Sequence, residues 1–432
     1  MAEVIIIGIY FCLCLKYSKK WIVCSLIFLF PSHLFVKGIL EVYWGRTFLF
    51  PLWYDIAILV LLLKTLLKHH GKIKYMIPLT VLLVMLLFQF CLSYFSIHSE
   101  PDAITTMRLY LHCIVLFIVF SIIDFNKDDY NSLKKAFVYS TLFYCISAIA
   151  IYVFFQQEIH VVLGHYEMTS LGVKFKSPSY LIMGFERMFG FIGGPNQFGV
   201  YISIVVISLF YMQQGKSKSP SFTGIAFVLS IACIFLSFSR AGWAIIVMTL
   251  LFLYLINGKF THFIAFLSKL FAVVCICVLL IVLLVPESYD IIIASLNGDE
   301  SSAANRGDIV RNGFIEIENN ILGHGLGTGI EENGSPISES SMIICFYELG
   351  VFVTIYYYVL IFVISYNIYR KKAVYSNVIF SFVIATIITS IFSMNTFQYP
   401  YIYYFWSILG MASNSRNLFI LKQNDNGKSY LS

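Results

Sequence analysis

Apolar residues gather into long runs separated by short polar connections, and this pattern repeats from one end of the chain to the other. Thirteen runs stand out, near residues 3–15, 21–37, 50–67, 75–97, 105–123, 136–155, 195–213, 221–238, 241–257, 263–285, 341–366, 374–393 and 399–413. A helix needs roughly 20 apolar residues to cross a hydrocarbon core about 30 Å thick, and most of these runs approach that length. The first is short. It lacks a preceding cluster of positive charge and a small-residue cleavage signal, and further runs follow at once, so a removable leader is not expected. The pattern predicts an all-α polytopic integral membrane protein with about 12–13 transmembrane helices.

Composition sharpens this picture. The 432 residues are 59% hydrophobic and 12% charged, against about 45–50% and about 25% in soluble domains. A soluble enzyme is excluded, and the 41 Phe and 29 Tyr exclude a disordered chain. The formal charge of +6 comes from short clusters between apolar runs, the arrangement that orients membrane proteins, and implies no nucleic-acid partner.

Alternate connections collect 20 of the 29 basic residues, from Lys16, Lys19 and Lys20 through Lys64, Lys68, Lys72 and Lys74 to Arg416, Lys422 and Lys428. The positive-inside rule makes that side the cytoplasm. The other nine are Lys37, Arg46, Arg108, Lys174, Lys176, Arg187, Arg240, Arg306 and Arg311, of which six are Arg. Arg is the planar, permanently charged fork suited to phosphate or carboxylate. The outer cluster therefore points to an anionic ligand, although any one of these residues can instead snorkel or pair with a local carboxylate.

Two outer connections are long, 156–194 and 286–340, and rich in aromatic, apolar and Gly residues. Loops of that length usually carry function. The chain divides accordingly into N-terminal transmembrane helices (1–155), an outer loop (156–194), central helices (195–285), a large outer loop with an amphipathic helix (286–340), and C-terminal helices with a cytoplasmic tail (341–432). All ten Cys lie in the apolar runs, and the nine His show no metal-ligand spacing, so neither a disulfide framework nor a metal site is expected.

Within the large loop, Ser301 to Asn320 sets Val310, Phe314 and Ile317 on one helical face together with Arg306. A charge on that stripe needs a partner or a polar cavity. Arg311 lies three residues after Asp308, which can neutralise it. Gly323, Gly325, Gly327 and Gly329 follow at every second position, either as a turn or as a row of N–H donors for an anion. The next helix opens with Ser338 as N-cap candidate and Glu339 in its first turn, where a carboxylate can complement the helix dipole or act as a general base. Glu348 lies about 13 Å deeper by helical rise. Like Asp55, it is an intramembrane carboxylate and so a candidate for either function or a local hydrogen bond. Arg187 precedes the run that Pro195 and Asn196 open, and Arg240 sits in a short turn, in SFSRAGW, that fixes it at the outer interface.

Arg187, Gly190 and Pro195-Asn196, then the SRAGW turn, an Arg-bearing outer helix, GHGLGTG, and Glu348-Leu349-Gly350 together resemble the O-antigen polymerase and ligase superfamily. The resemblance covers residues 187–350. It implies a metal-independent glycosyltransferase, without cofactor, in the bacterial inner membrane. Its substrates would be undecaprenyl-diphosphate-linked glycans at the periplasmic face. It implies that Arg187, Arg240 and Arg306 act on the diphosphate and that Glu339 acts as provisional base, with Arg311, Asn196, Arg46 and Glu348 binding substrate beside them. The ligase branch carries a His, then Asn, Ser or Gln, then nine residues and a Gly. Glu339, Ser340 and Gly350 fit that spacing with Glu in place of His, which favours polymerase. A ligase acting on lipid A core and a lipid-linked oligosaccharide flippase remain alternatives, as does a structural assembly subunit, which would leave the outer Arg enrichment unexplained. Membrane lipid, repeat units, a chain-length regulator and a flippase are the expected partners.

Overall fold

The computed structural model describes residues 2–45, 50–69, 71, 73–94, 100–155, 166–169, 172–175, 181–182, 185–214, 222–258, 264–265, 268, 315, 320–329, 340–371, 375–394 and 399–414. Among the described residues, thirteen helices of 11 to 29 residues follow one another. They are α1 (Ala2–Lys16), α2 (Lys19–Leu29), α3 (His33–Trp44), α4 (Leu52–Leu66), α5 (Met76–Ser93), α6 (Glu100–Ile122) and α7 (Lys127–Phe154). After these come α8 (Pro195–Gln214), α9 (Thr223–Ser237), α10 (Arg240–Ile256), α11 (Ser341–Tyr369), α12 (Ser376–Thr389) and α13 (Tyr401–Ser413). The predicted runs coincide with helices except for 263–285, of which only residues 264, 265 and 268 are described. By length and composition, α5, α6, α7, α8 and α11 can each cross a membrane, and the bent pair α2–α3 makes a sixth. The protein is a polytopic membrane protein of helical class.

Two details depart from the pattern-based expectation. The run at 21–37 is not one straight helix, because α2 and α3 meet at 70°. Pro31 stands in the break; its ring removes a backbone donor and clashes with the preceding turn. Between α7 and α8 lie two short antiparallel ladders, β1 (Tyr166–Thr169) with β2 (Gly172–Phe175) and β3 (Leu181–Ile182) with β4 (Phe185–Glu186).

The bundle interior is aromatic. Trp406 is fully buried against Phe117, with ring centroids 6.0 Å apart, and Tyr110, Tyr201 and Tyr401 are equally enclosed. Helix–helix association in lipid depends on close packing, since lipid tails are as apolar as leucine. Gly410 illustrates this: a Cβ there would lie 2.6 Å from the Phe117 carbonyl oxygen, so its absence lets α13 settle onto α6. The outward faces stay apolar, with Phe352 and Val228 about two-thirds exposed.

At the lysine-rich end, cations close helix C-termini, where carbonyls lack partners and the dipole is negative. Lys64 Nζ donates to the carbonyls of Cys14 and Leu15 at the end of α1, both at 2.8 Å. Lys371 Nζ reaches the Ser413 carbonyl at the end of α13, at 2.8 Å. Burial, with a smaller contribution from Lys74, pushes the Lys371 ammonium down to about 8.

Candidate functional site at the arginine-bearing end

At the opposite end, α9 ends and α10 begins within a turn centred on Ser239, and Arg187 holds that turn. Its Nε donates to the Ser237 carbonyl at 2.9 Å, and its Nη2 to the Phe238 carbonyl at 3.2 Å and to Asn196 Oδ1 at 2.7 Å. The neighbouring Met188 N–H caps Leu236 O at 2.9 Å. The carbonyls that α9 leaves unpaired are thus met by a guanidinium and an amide. Ser239 caps α10 by accepting from the Gly242 N–H at 3.3 Å. Arg240, the first residue of α10, is exposed.

The SRAGW turn can seat here because α8 presents a glycine to it. A Cβ on Gly199 would stand 2.1 Å from Ser239 Cβ, and one on Gly242 would stand 2.5 Å from Gly199 O. Arg187, Asn196 and Arg240, chosen from separate places in the chain, therefore meet at one turn. Arg187 is buried and committed to protein acceptors. Arg240 is the exposed cation of the group.

The second part of the site is a break in α11. Gly350 adopts φ 73°, ψ 175°, outside the helical region, and splits the helix. A broken helix in hydrocarbon must have its freed backbone groups satisfied by protein. The Gly-rich run does this. Gly325 N–H donates to Glu348 O at 3.0 Å and His324 N–H to Tyr347 O at 2.8 Å, while Val351 N–H donates to Ile321 O at 2.9 Å. From α5, Gln89 Nε2 donates to both Leu322 O and Leu349 O, each at 2.8 Å. Ser93 Oγ adds a bond to Leu326 O at 2.9 Å. Gly323 at φ 86° is required as well, because a Cβ there would come within 2.4 Å of the Gly350 nitrogen.

Of the two readings of the alternating glycines, the connector holds for 323–326, whose N–H groups at 324 and 325 serve Tyr347 O and Glu348 O. Glu348 is buried, and its Oε1 accepts from the Gly329 N–H at 3.1 Å. The carboxylate therefore fastens the glycine run to α11.

The N-terminus of α11 joins the end of α12. Ser340, not Ser338, is the cap: its Oγ accepts from Ile343 N–H at 3.3 Å and donates to Ser390 O at 3.1 Å. Ser341 and Met342 N–H groups go to Ser393 O and Ser390 O.

A further charged group was legible only in pieces. Asp55 on α4 receives Arg108 of α6, whose Nε lies 3.1 Å from Oδ1 and whose Nη2 reaches Oδ2. His112 Nε2 approaches the same carboxylate, and its Nδ1 faces Tyr403 OH at 3.3 Å. Arg108 also lies over the Tyr54 ring at 4.8 Å. Arg108 is therefore locally neutralised, which answers the choice left open for it. Asp55 and Arg108 are 53 positions apart, and no local spacing signals the pair. Among the described residues no three His, Cys, Asp or Glu side chains converge as metal ligands. Arg46, Arg306, Arg311 and Glu339 lie outside the described residues.

Residues 225–347 match the family model Wzy_C, described as O-antigen ligase. The match supports membership of the O-antigen ligase and polymerase superfamily. It spans α9, the SRAGW turn, α10, the glycine run and the first turns of α11. It supports a glycosyltransferase-like function of the ligase or polymerase type for this multi-pass membrane protein. No curated protein and no solved structure matches the chain.

Proposed function

We propose that the protein is an O-antigen polymerase working at the periplasmic face of the bacterial inner membrane. The observation that supports this most is that Arg187 and Asn196 meet Arg240 at the turn after α9, a turn that lies within the matched residues 225–347. Exposed Arg240, with Arg306 and Arg311 from the large loop, would bind the undecaprenyl diphosphate of the growing chain, while Arg187 holds the turn that aims Arg240. Glu339 stands where the ligase branch carries its His, which favours polymerisation over transfer to lipid A core.

In the reaction, an acceptor hydroxyl oxygen on the next lipid-linked repeat unit attacks the anomeric carbon of the growing chain. The new C–O bond forms as the bond to diphosphate breaks, and the diphosphate leaves with the electron pair. The hydroxyl proton passes to Glu339. Fixed guanidinium donors stabilise the leaving charge best where water is partly excluded.

Deletion of the gene followed by inspection of surface polysaccharide tests this reading. Polymerase loss leaves single repeat units on the core. Ligase or flippase loss leaves none, and that result would overturn the proposal.

A further inference from the structure

A cavity of about 260 Å³ lies inside the bundle, between α2, α6, α7, α8, α12 and α13. Leu26, Phe120, Phe137, Ile207, Phe382 and Ile408 are among its walls. An apolar cavity of about 150 Å³ already stays dry and takes up an apolar guest, and inside a membrane the abundant apolar guest is a lipid chain.

The cavity is polar at one end. Between Tyr403 at one limit and Met411 near the other, α13 rises about 12 Å. At the Tyr403 end the hydroxyls are already used: Tyr403 OH meets His112, and Tyr404 OH donates to Ile27 O at 3.0 Å. The other end is ringed by Tyr130, Tyr211 and Tyr375, with Lys134 as the charged residue among the described lining residues. This is the lysine-rich end, which the positive-inside rule assigns to the cytoplasm. Lys134 Nζ lies over the Tyr130 ring, 5.0 Å from its centroid, so cation and aromatic ring stand together at this mouth. A long apolar slot with a cation at its cytoplasmic mouth fits a lipid of the leaflet that carries anionic headgroups.

We propose that this cavity binds an anionic phospholipid of the cytoplasmic leaflet, with an acyl chain filling the slot and the headgroup phosphate on Lys134. The site is separate from the arginine-bearing end and does not depend on the function proposed above.

The test uses the full chain, delipidated in detergent, with phosphatidylglycerol, phosphatidylcholine and undecaprenyl phosphate as probes, read by native mass spectrometry and melting temperature. Phosphatidylglycerol is expected to bind best and raise the melting temperature most. Lys134→Gln should weaken it about fivefold, the effect of one basic residue near anionic headgroups, and remove its advantage over phosphatidylcholine. Ser407→Phe, which fills the slot from α13, should abolish binding of both. Should that variant misfold, Lys134→Gln decides alone. An unchanged phosphatidylglycerol preference in Lys134→Gln would overturn the proposal, as would undecaprenyl phosphate binding more tightly than phosphatidylglycerol.

Discussion

Glu348 Oε1 and the Gly329 N–H stand 3.1 Å apart, joining a carboxylate inside α11 to the end of the glycine run. This bond needs an acceptor oxygen and no negative charge. Glu348→Gln should therefore keep most polymer synthesis, whereas Glu348→Ala should destabilise the protein by about 1–3 kcal/mol, the cost of a buried donor left unsatisfied, and shorten the polysaccharide ladder. Ladder length at matched protein level, with melting temperature in detergent, checks both. A Gln variant as inactive as the Ala variant would show that the proton or charge itself is needed.

Arg187 and Arg240 share a turn but do different work. Arg187→Lys removes the fork that spans Ser237 O, Phe238 O and Asn196, so the melting temperature should fall together with activity. Arg240→Gln should lower melting less than Arg187→Lys does and still lower activity, because its side chain is exposed whereas Arg187 is buried. Equal thermal losses in the two variants would refute this division.

Glu339→Gln tests the base. Loss of the proton acceptor should slow turnover of lipid-linked repeats by about 10²-fold or more in a protein that still melts normally. Wild-type turnover in Glu339→Gln would leave the guanidinium groups to lower the barrier alone.

Lys371 makes stability depend on pH in the alkaline range. Its folded value is about 8, below the ordinary 10.5, because burial disfavours the charged ammonium. Between those values the unfolded chain binds more protons, so stability should rise as pH climbs from about 8 towards 10.5. Melting curves over that range should show the rise in wild type and a flatter profile in Lys371→Met. The same slope in both would assign it to other groups.

Helix existence was written in the hydrophobic runs, and the SRAGW turn was visible as a short polar gap with a fixed Arg. The bend between α2 and α3 was also legible, since Pro31 interrupts its run, but apolar length outweighed it. Gly350 and Gln89 carried weaker signals, each a misfit inside an apolar stretch. Their meaning appears only when α5, the glycine run and α11 come together. The Asp55–Arg108–His112 group had no local signature, because its members face one another across two helices.

The break at Gly350 limits how the protein can move. Residues 321–326 supply hydrogen bonds that α11 lacks, so withdrawing them would bare peptide groups in hydrocarbon, at several kcal/mol per group. This stretch is a splint and not a door. In the proposed polymerase reaction, admission of each new substrate and release of the spent carrier would therefore fall to other parts of the chain, and a ligand that merely stiffened the splint would leave turnover untouched.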